Sequence, residues 1–382
     1  MKILHISPSY KPASVYGGPI RSVSLLCEAL IHHMEIQMLT TTANGEQELP
    51  AQRKEVDGVD VFYFERITKD HTHLSPALLY FLYQQIRKHN QQIKTDTLII
   101  HIHSWWNTVA LFSCLMARLF KIPVILSPRG MIGKYTFNNR NQLLKKTIHH
   151  AIGHYLLKYC HIHATSRKEA RDILAIFQPK QMTVIPNLIS FEVSKQYQTA
   201  QNRSFRILFL SRIEQKKGLE LLFHALEQVS INWSLHIVGC GNIRYILQLQ
   251  ALVRDHPLHQ RITWGNAVDD VEKYHVFADH DLLVLPSQNE NFGNVVLECL
   301  SVGTPVAVSS EVGLADYVLK NKLGWVFKPN SMAIAKTLNL AFRAKEERKQ
   351  IKIKAPNQIR ADFDSHKITR QYQELYTKIQ QQ

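Results

Sequence analysis

Short apolar runs alternate with stretches of helical hydrophobic period along the 382-residue chain. In the first half, the apolar runs predict strands at residues 3–7, 36–40, 59–64, 97–101, 124–127, 161–165 and 183–185. The stretches with apolar residues every three or four positions predict helices near residues 20–32, 76–89, 108–120, 140–159 and 168–176. This alternation is typical of repeated β–α units, and runs as apolar as Ile99-Ile100 fit parallel strands covered on both faces.

The pattern starts again after Pro186-Asn187 and a polar stretch at residues 195–203. Further strands are predicted at residues 206–211, 235–238, 261–264, 281–286 and 305–309, with helices at 219–229, 243–255 and 295–302. The chain is too long for one hydrophobic core, so we expect two doubly wound α/β domains. Their predicted bounds are residues 1–190 and 191–361, and an amphipathic helix follows at 362–382.

Composition narrows the class of protein. A hydrophobic content of 45% with 9% aromatic residues excludes disordered and fibrous chains. The five cysteines include no C-x-x-C pair, which argues against a disulfide framework and for a reducing compartment. No signal-peptide pattern opens the chain, and the longest apolar run, residues 109–117, falls short of the ~20 residues that cross a bilayer. We expect a cytoplasmic protein, soluble or peripheral to a membrane.

The net charge of +15 is concentrated in the first half. Residues 1–190 hold 22 basic and 12 acidic side chains, a balance of +10. This excess predicts an anionic partner such as lipid headgroups or a polyanionic acceptor, although it also serves solubility. The basic amphipathic stretch at 140–159 either lies on an anionic membrane or packs on the core. No recognised nucleic-acid module is present, so nucleic acid is not predicted as a partner.

One stretch, residues 286–300, carries the strongest chemical signal. A buried strand ends at Pro286, and a polar loop leads into a helix near Asn294. Ligands of open α/β sheets bind beyond the carboxyl ends of strands, and Gly293 permits close backbone approach to a phosphate at the helix start. Glu290 and Glu298 can accept hydrogen bonds from sugar hydroxyl pairs. The alternative is a solvated loop glutamate and a helix-capping one.

A second stretch, residues 209–218, places Arg212 after a strand and Lys217 before a helix. Two cations at a strand's carboxyl end suit a diphosphate, because charge-assisted hydrogen bonds are the strong ones. The following Gly239-Cys240-Gly241 turn lacks the third glycine of a dinucleotide fingerprint, since Arg244 stands in its place. An NAD-dependent oxidoreductase is therefore disfavoured.

The first half offers fewer candidate site residues. Gly17 and Gly18 permit a tight turn with inward amides before a helix. His103 lies just past a strand end as a polar acceptor-side residue or a structural histidine, and no metal site is predicted because no further ligand cluster follows it. Arg129 also follows a strand, where it suits a phosphate or an acidic acceptor.

The stretch at 286–300, continued by Ser301-Val302-Gly303-Thr304-Pro305-Val306, resembles the signature of retaining glycosyltransferase family 4. The resemblance implies the GT-B fold, two Rossmann-like domains with parallel sheets facing across a cleft. It implies an acceptor-binding N-terminal domain, a nucleotide-sugar-binding C-terminal domain, and a final helix that crosses back to the first. The implied roles are contact of Glu290 with the transferred sugar and of Glu298 with the nucleotide ribose, and diphosphate binding by Phe292, Gly293 and Asn294.

In such proteins Arg212 and Lys217 neutralise the leaving phosphate in place of a metal ion. The resemblance also implies that Gly17, Gly18 and Gly239 line the donor site, and that Asn266 lies near the nucleobase. Arg129 departs from the pattern, because many relatives carry a histidine there.

The expected function is thus retaining, metal-independent transfer of a sugar from a UDP- or GDP-sugar to a saccharide or lipid-linked acceptor. No cofactor is expected. Capsule or lipopolysaccharide synthesis at the inner face of the cytoplasmic membrane is the implied setting. The alternatives are a nucleotide-sugar epimerase of the same architecture and a non-catalytic membrane-associated scaffold.

Overall fold

The computed structural model of this protein describes residues 1–91, 97–137, 142–191 and 204–381. The predicted polar stretch at 195–203 and Arg140 lie outside the described residues. The chain divides into two compact units: an N-terminal unit of Met1–Ile189 with Ser365–Gln382, and a C-terminal unit of Ser190–Asp364. These divisions fall within a few residues of the domain bounds expected from the sequence.

The N-terminal unit is built on an eight-stranded sheet with the order β3-β4-β2-β1-β5-β6-β7-β8. Neighbouring strands are parallel except for the antiparallel pair β3 and β4. Strands β5, β6 and β7 are buried along their whole length, as expected for parallel strands covered on both faces. The strands are β1 (Lys2–Ser7), β2 (Glu35–Thr41), β3 (Arg53–Val56), β4 (Val59–Phe64), β5 (Leu98–His103), β6 (Val124–Ser127), β7 (His161–Ala164) and β8 (Met182–Val184).

Helices pack on this sheet, and side-chain caps begin two of them, α3 and α7. Asn107 accepts a hydrogen bond from the Ala110 amide to start α3, and Ser166 accepts one from the Glu169 amide to start α7. The helices are α1 (Gly18–Leu30), α2 (Pro76–Gln91), α3 (Thr108–Leu119), α4 (Lys134–Phe137), α5 (Gln142–Ile148), α6 (His154–Tyr159) and α7 (Arg167–Leu174). A π-helical turn, His149–Gly153, joins α5 to α6, and so interrupts the single helix predicted at 140–159.

The C-terminal unit holds a six-stranded, all-parallel sheet with the order β11-β10-β9-β12-β13-β14. Its strands are β9 (Phe205–Leu210), β10 (Trp233–Val238), β11 (Ile262–Gly265), β12 (Leu282–Leu285), β13 (Val306–Ser309) and β14 (Gly324–Phe327). Its helices are α8 (Leu219–Leu226), α9 (Ile243–Arg254), α10 (Glu272–Ala278), α11 (Asn294–Leu300), α12 (Ala315–Asn321), α13 (Ser331–Arg343) and α14 (Lys345–Asp362). The strand order reverses between β9 and β12, which makes their carboxyl ends the topological switch point.

The last helix, α15 (Ser365–Gln380), belongs to the N-terminal unit. Its buried face has the helical spacing seen in the sequence and lies against α1. Its buried apolar and aromatic residues are Ile368, Tyr372, Leu375, Tyr376 and Ile379. Within the described part of the chain, every helix is too short or too polar to cross a membrane.

Candidate active site

Two loops that are distant in sequence meet at the switch point of the C-terminal unit. The loop after β9 carries Arg212 and Lys217, and the loop after β12 carries Glu290. The Gln288 amide donates a hydrogen bond to the Lys216 carbonyl over 2.7 Å. Gly218 has a φ of +74°, and a Cβ there would overlap the Pro286 carbonyl oxygen. The loops therefore touch backbone to backbone, which only glycine permits at this position.

A third loop holds the other side of the loop after β12. The Glu290 amide donates to the Glu311 carbonyl, and the Gly313 amide donates to the Glu290 carbonyl, each over 2.9 Å. A Cβ at Gly313 would overlap the Asn291 carbonyl oxygen. The segment around Glu290 is thus wedged between two neighbours. This third loop was not predicted from the sequence, although a glycine shortly after a predicted strand was its available signal.

Lys217 and Glu290 form an ion pair through Lys217 Nζ and Glu290 Oε2. Lys217 is only 7% exposed. Burial favours the neutral form of Glu290, but the nearby Lys217, Lys216 and Arg212 outweigh it and lower the pKa of this carboxyl. Glu290 is therefore a carboxylate at neutral pH, able to accept hydrogen bonds from hydroxyl groups.

Arg212 and Lys216 share a second carboxylate. Arg212 Nη1 lies 2.8 Å from Glu214 Oε1, and Lys216 Nζ lies 3.2 Å from Glu214 Oε2. Burial opposes ionisation of Glu214, yet the two cations lower its pKa. Together with Lys217 and Glu290, these residues form a charge cluster. It holds three cations (Arg212, Lys216, Lys217) and two carboxylates (Glu214, Glu290), a net charge of +1. This excess positive charge suits an anionic ligand.

Glu298 lies in α11 and is 6% exposed. Its Oε1 is 3.1 Å from Lys273 Nζ, which also lies 2.9 Å from Asp270 Oδ1. The lysine orients the carboxylate, because a buried charge needs a hydrogen-bonded partner. Sequence reasoning missed Lys273, since nothing in the pattern of α10 marks one lysine among its polar residues.

The residues between the two glutamates shape the backbone. The Phe292 side chain is buried and meets Phe363 edge to face, with 6.4 Å between ring centroids. Gly293 has a φ of +93° and precedes Asn294, the first residue of α11. Amides in the first turn of a helix have no partner in the helix itself and point outward. The side chain of Phe292 anchors the turn, and its backbone leads into these amides.

The glycine pair after β10 has a packing role. A Cβ at Gly239 would overlap the Ser211 carbonyl oxygen, and one at Gly241 would overlap that of Ile213. The Ile213 amide donates to the Cys240 carbonyl over 2.8 Å. The turn therefore supports the loop that carries Arg212. Asn266 is exposed just past β11, at the edge of the sheet.

The structure brings Arg212, Lys217 and Glu290 into one charge cluster. It places Phe292, Gly293, Asn294 and Glu298 on the loop and helix that follow Glu290. The remaining candidates, Gly17, Gly18, His103 and Arg129, lie in the N-terminal unit. Gly17 has a φ of +73° and precedes α1. The ligand roles of all these residues stay predictions.

His103 and Arg129 belong to a hydrogen-bonded group that we call the histidine network, whose members are His5, His101, His103, His163, Ser127, Tyr376 and Arg129. All four histidines are at most 2% exposed. Burial lowers their pKa, to about 3 for His5 and His163. The pairs are Arg129 Nε with His103 Nδ1 (3.4 Å), His103 Nε2 with His5 Nδ1 (2.9 Å), His5 Nε2 with the Tyr376 hydroxyl (3.5 Å), Tyr376 with His101 Nδ1 (2.7 Å), His101 Nε2 with Ser127 Oγ (2.7 Å), and Ser127 Oγ with His163 Nδ1 (2.6 Å).

The two ends of this network determine its direction. His163 Nε2 lies 2.9 Å from the Ile185 carbonyl, which only accepts, and 3.1 Å from the Tyr372 hydroxyl, which can accept as well. A proton on this nitrogen satisfies both contacts, so we place one there. A neutral His163 then accepts at Nδ1 from Ser127 Oγ, which itself accepts from His101 Nε2. His101 Nδ1 accepts from the Tyr376 hydroxyl, which accepts from His5 Nε2. His5 Nδ1 accepts from His103 Nε2. At the other end, Arg129 only donates. We therefore assign neutral histidines, with every donor directed from Arg129 toward Ile185.

Three of these histidines, His5, His101 and His103, have ligand atoms within 4.8 Å of one another, a spacing that a metal ion can occupy. Their nitrogens already pair with each other and with hydroxyl groups, and the Arg129 guanidinium repels a second cation. This grouping was not predicted from the sequence, because it depends on β1 lying beside β5 with His5 opposite His101.

Two Rossmann-like units with parallel sheets, one with cations and carboxylates at its switch point, are the architecture of GT-B glycosyltransferases. The family profile described as "Glycosyl transferases group 1" matches residues 190–358, and the one described as "Glycosyltransferase Family 4" matches residues 16–193. The chain belongs to the family 4-type GT-B glycosyltransferases.

Similar proteins extend over nearly the whole chain. An uncharacterized glycosyltransferase of Methanocaldococcus jannaschii is 26% identical over 362 residues, 88% of this chain and 87% of its own. Anabaena HepE, solved in complex with UDP and glucose, has a TM-score of 0.74 at 18% identity and covers 99% of this chain and 100% of its own. WaaG, a glycosyltransferase involved in lipopolysaccharide biosynthesis, has a TM-score of 0.70 at 15% identity and covers 98% of this chain and 99% of its own. At these identities the two structures show a shared fold.

Proposed function

We propose that this protein transfers a sugar, with retention and without a metal ion, from a UDP- or GDP-sugar to a saccharide or lipid-linked acceptor. The observation that carries the proposal is the charge cluster of Arg212, Lys217 and Glu290 at the switch point of the C-terminal unit. A nucleoside-diphosphate sugar needs both elements of this cluster, cations for its phosphates and a carboxylate for its hydroxyls.

Cleavage of the anomeric C–O bond leaves negative charge on the departing phosphate. Arg212 and Lys217 stabilise that charge, together with the amides of Gly293 and Asn294, because fixed donors are most effective where charge develops. Side-chain cations thereby supply what a divalent metal supplies in other phosphate chemistry. Glu290 accepts hydrogen bonds from the transferred sugar, and Glu298 from the ribose.

Retention follows from attack on the face from which the phosphate leaves. The acceptor oxygen bonds to the anomeric carbon as the carbon–phosphate oxygen bond breaks, and the leaving phosphate oxygen takes the acceptor's proton. The ion pair of Glu290 with Lys217 favours this route over a covalent glycosyl intermediate, because pairing with a cation makes the carboxylate a weaker nucleophile.

The solved complex of Anabaena HepE with UDP and glucose supports a UDP-sugar as donor. The stated role of WaaG in lipopolysaccharide biosynthesis supports a place in surface polysaccharide synthesis, of capsule or lipopolysaccharide.

A peripheral position at the cytoplasmic face of a membrane is also part of the proposal. Among the described residues of α5, Leu143 is 81% and Leu144 58% exposed, next in sequence to the basic residues Lys145 and Lys146. Tyr155 of α6 is 59% exposed and has the Arg118 guanidinium over its ring. Apolar side chains next to lysines suit an anionic bilayer surface.

The test begins with thermal stabilisation of the full chain by a panel of UDP-, GDP- and dTDP-sugars. A ligand at 100 times its dissociation constant adds about 2.7 kcal/mol of stability. The stabilising donor is then incubated with and without saccharide acceptors, in the presence of a chelator. Transfer that needs an acceptor and survives chelation supports the proposal. Conversion of the donor without an acceptor points to an epimerase, and no binding of any nucleotide points to a non-catalytic scaffold.

A further inference from the structure

Arg129 forms no ion pair with a described carboxylate, and Glu169 acts on its positive charge only at longer range. Its hydrogen-bond partners are the side chains of Asn187 (2.8 Å), Ser22 (3.0 Å) and His103 (3.4 Å), which are all neutral groups. Burial lowers the pKa of Arg129, but a guanidinium stays protonated at neutral pH. A charge removed from water without a counter-ion is costly, so such a residue calls for an anionic partner.

The nearest acid has other partners. Glu169 Oε1 accepts from the Gly130 amide over 2.7 Å, and Oε2 accepts from the Thr165 amide and hydroxyl over 2.7 and 2.8 Å. Both carboxylate oxygens thereby brace the turn after β6 and make no hydrogen bond to the guanidinium.

The Arg129 backbone fixes the position of the guanidinium, and its N–H donors are not all used by the described contacts. Arg129 has a φ of +52°, a strained conformation for a non-glycine residue, and Gly130 follows at +79°. Of its five N–H groups, two lie at ordinary hydrogen-bond distance from Asn187 and Ser22, whereas Nε and Nη2 reach His103 only at 3.4 and 3.5 Å. The residue is partly exposed, and Nη2 has no partner at ordinary hydrogen-bond distance among the described residues.

The histidine network beside Arg129 does not compensate this charge. It stays neutral at physiological pH, since burial lowers the pKa of each histidine. The network therefore adds no negative charge beside Arg129.

We infer that Arg129 binds an anionic group, a carboxylate or a phosphate, on one of the sugar substrates, and so determines specificity for a charged sugar. The inference rests on the proposed function. The anion belongs either to the transferred sugar of the donor, as in a uronate, or to the acceptor, as in a sugar phosphate or uronate. Arg129 recognises both through the same forked hydrogen bonds.

The test measures binding to the full chain by isothermal titration calorimetry with matched neutral and anionic ligands. The donor arm compares UDP-glucose with UDP-glucuronate and GDP-mannose with GDP-mannuronate. The acceptor arm, in the presence of UDP or GDP, compares methyl glucoside with methyl glucuronide and glucose 1-phosphate. We expect one anionic ligand to bind at least about tenfold more tightly than its neutral match. The arm in which this happens identifies the substrate that carries the anion.

Arg129→Gln should abolish that preference and Arg129→Lys should keep part of it, whereas Arg167→Gln, which removes an exposed cation of the same unit, should leave it unchanged. Urea unfolding of each variant checks that it is folded. The inference is wrong if no anionic ligand in either arm is preferred tenfold by the wild type, or if the preference survives in Arg129→Gln. Failure of the proposed function gives a different result, the absence of binding of any nucleotide or nucleotide sugar.

Discussion

Acidification should selectively weaken the N-terminal unit, because the histidine network accepts only neutral imidazoles. Each nitrogen that accepts a hydrogen bond in the network becomes a donor when its ring is protonated. It would then face another donor, at 2.7 Å for His101 and the Tyr376 hydroxyl and at 2.6 Å for His163 and Ser127. An unfolded chain meets no such conflict, since water solvates the imidazolium ion.

The sign of the effect follows from proton linkage. Folding lowers the pKa of His5 and His163 from 6.5 to about 3, mainly by burial. Between those two pH values the unfolded state binds more protons than the folded state, so the free energy of unfolding rises with pH. The contribution is fully present above pH 6.5 and is lost progressively as the pH falls from 6.5 toward 3.

The magnitude follows from the pKa values. At about 1.4 kcal/mol per pH unit and per group, each of these two histidines costs about 2 kcal/mol of stability between pH 7 and pH 5. His101 and His103, whose pKa is also well below 6.5, act in the same direction. Since whole domains are stable by only about 5–15 kcal/mol, a loss of about 4 kcal/mol or more is large.

The C-terminal unit provides an internal reference. Folding lowers the pKa of one histidine in each unit to about 4, His73 in the N-terminal unit and His280 in the other. These two contributions nearly cancel in a comparison of the units. The N-terminal unit should therefore lose about 4 kcal/mol more than the C-terminal unit between pH 7 and pH 5, from His5 and His163 alone.

Pulse proteolysis with thermolysin across a urea series measures the two units separately, through peptides of β5 and β9. His163→Gln removes one titrating group, so its N-terminal unit should show about 2 kcal/mol less pH dependence than the wild type. His366→Gln, at an exposed histidine of α15, should show the wild-type dependence. Equal responses of the two units to pH, or an unchanged pH dependence in His163→Gln, would refute the neutral network.

Three substitutions test other parts of the structure. Arg212→Ala and Lys217→Ala should each lower the transfer rate about 100- to 1,000-fold in a nucleotide-release assay, because each removes a donor to the leaving phosphate. Lys320→Ala, at an exposed lysine of the same unit, should not lower it. Near-normal rates in the first two variants would contradict the proposed site. Tyr376→Phe leaves the buried His101 Nδ1 without its donor and should cost about 1–3 kcal/mol in urea unfolding, unlike Tyr80→Phe at an exposed position. Equal costs would contradict the hydrogen bond between Tyr376 and His101. Gly313→Ala should displace the loop that carries Glu290 and abolish transfer with the fold intact. Gly133→Ala, whose Cβ meets ordinary contacts, should be active. An active Gly313→Ala would show that the close packing of Gly313 against this loop is not needed for transfer.

The charge cluster of the C-terminal unit was predictable because its signals are local. Arg212, Lys217 and Glu290 each follow a buried strand within a few residues, and parallel strands of a doubly wound sheet bring their carboxyl ends together. The sequence alone does not state which loops are adjacent. The order reversal between β9 and β12 decides that, and it makes Lys217 the partner of Glu290.

The features that escaped prediction depend on relations between distant elements. Strand β3 is a charged edge strand, exposed over most of its length, so it lacks the apolar alternation by which strands are recognised. The pairing of Lys273 with Glu298 depends on how α10 packs beside α11. The histidine network depends on a register that sets His5 opposite His101, which no local pattern encodes.

The proton order of the network connects the last helix of the chain to the candidate specificity residue. Tyr376 of α15 lies between His101 and His5. Its hydroxyl accepts a hydrogen bond from His5 Nε2 and donates one to His101 Nδ1. With that direction, His103 Nδ1 is an acceptor and receives Arg129 Nε; with the opposite direction it would carry a proton and repel the guanidinium. Helix α15 therefore does more than cover apolar surface, because its tyrosine connects the two halves of the network and so couples the proton on His163 Nε2 to the acceptor nitrogen that His103 presents to Arg129.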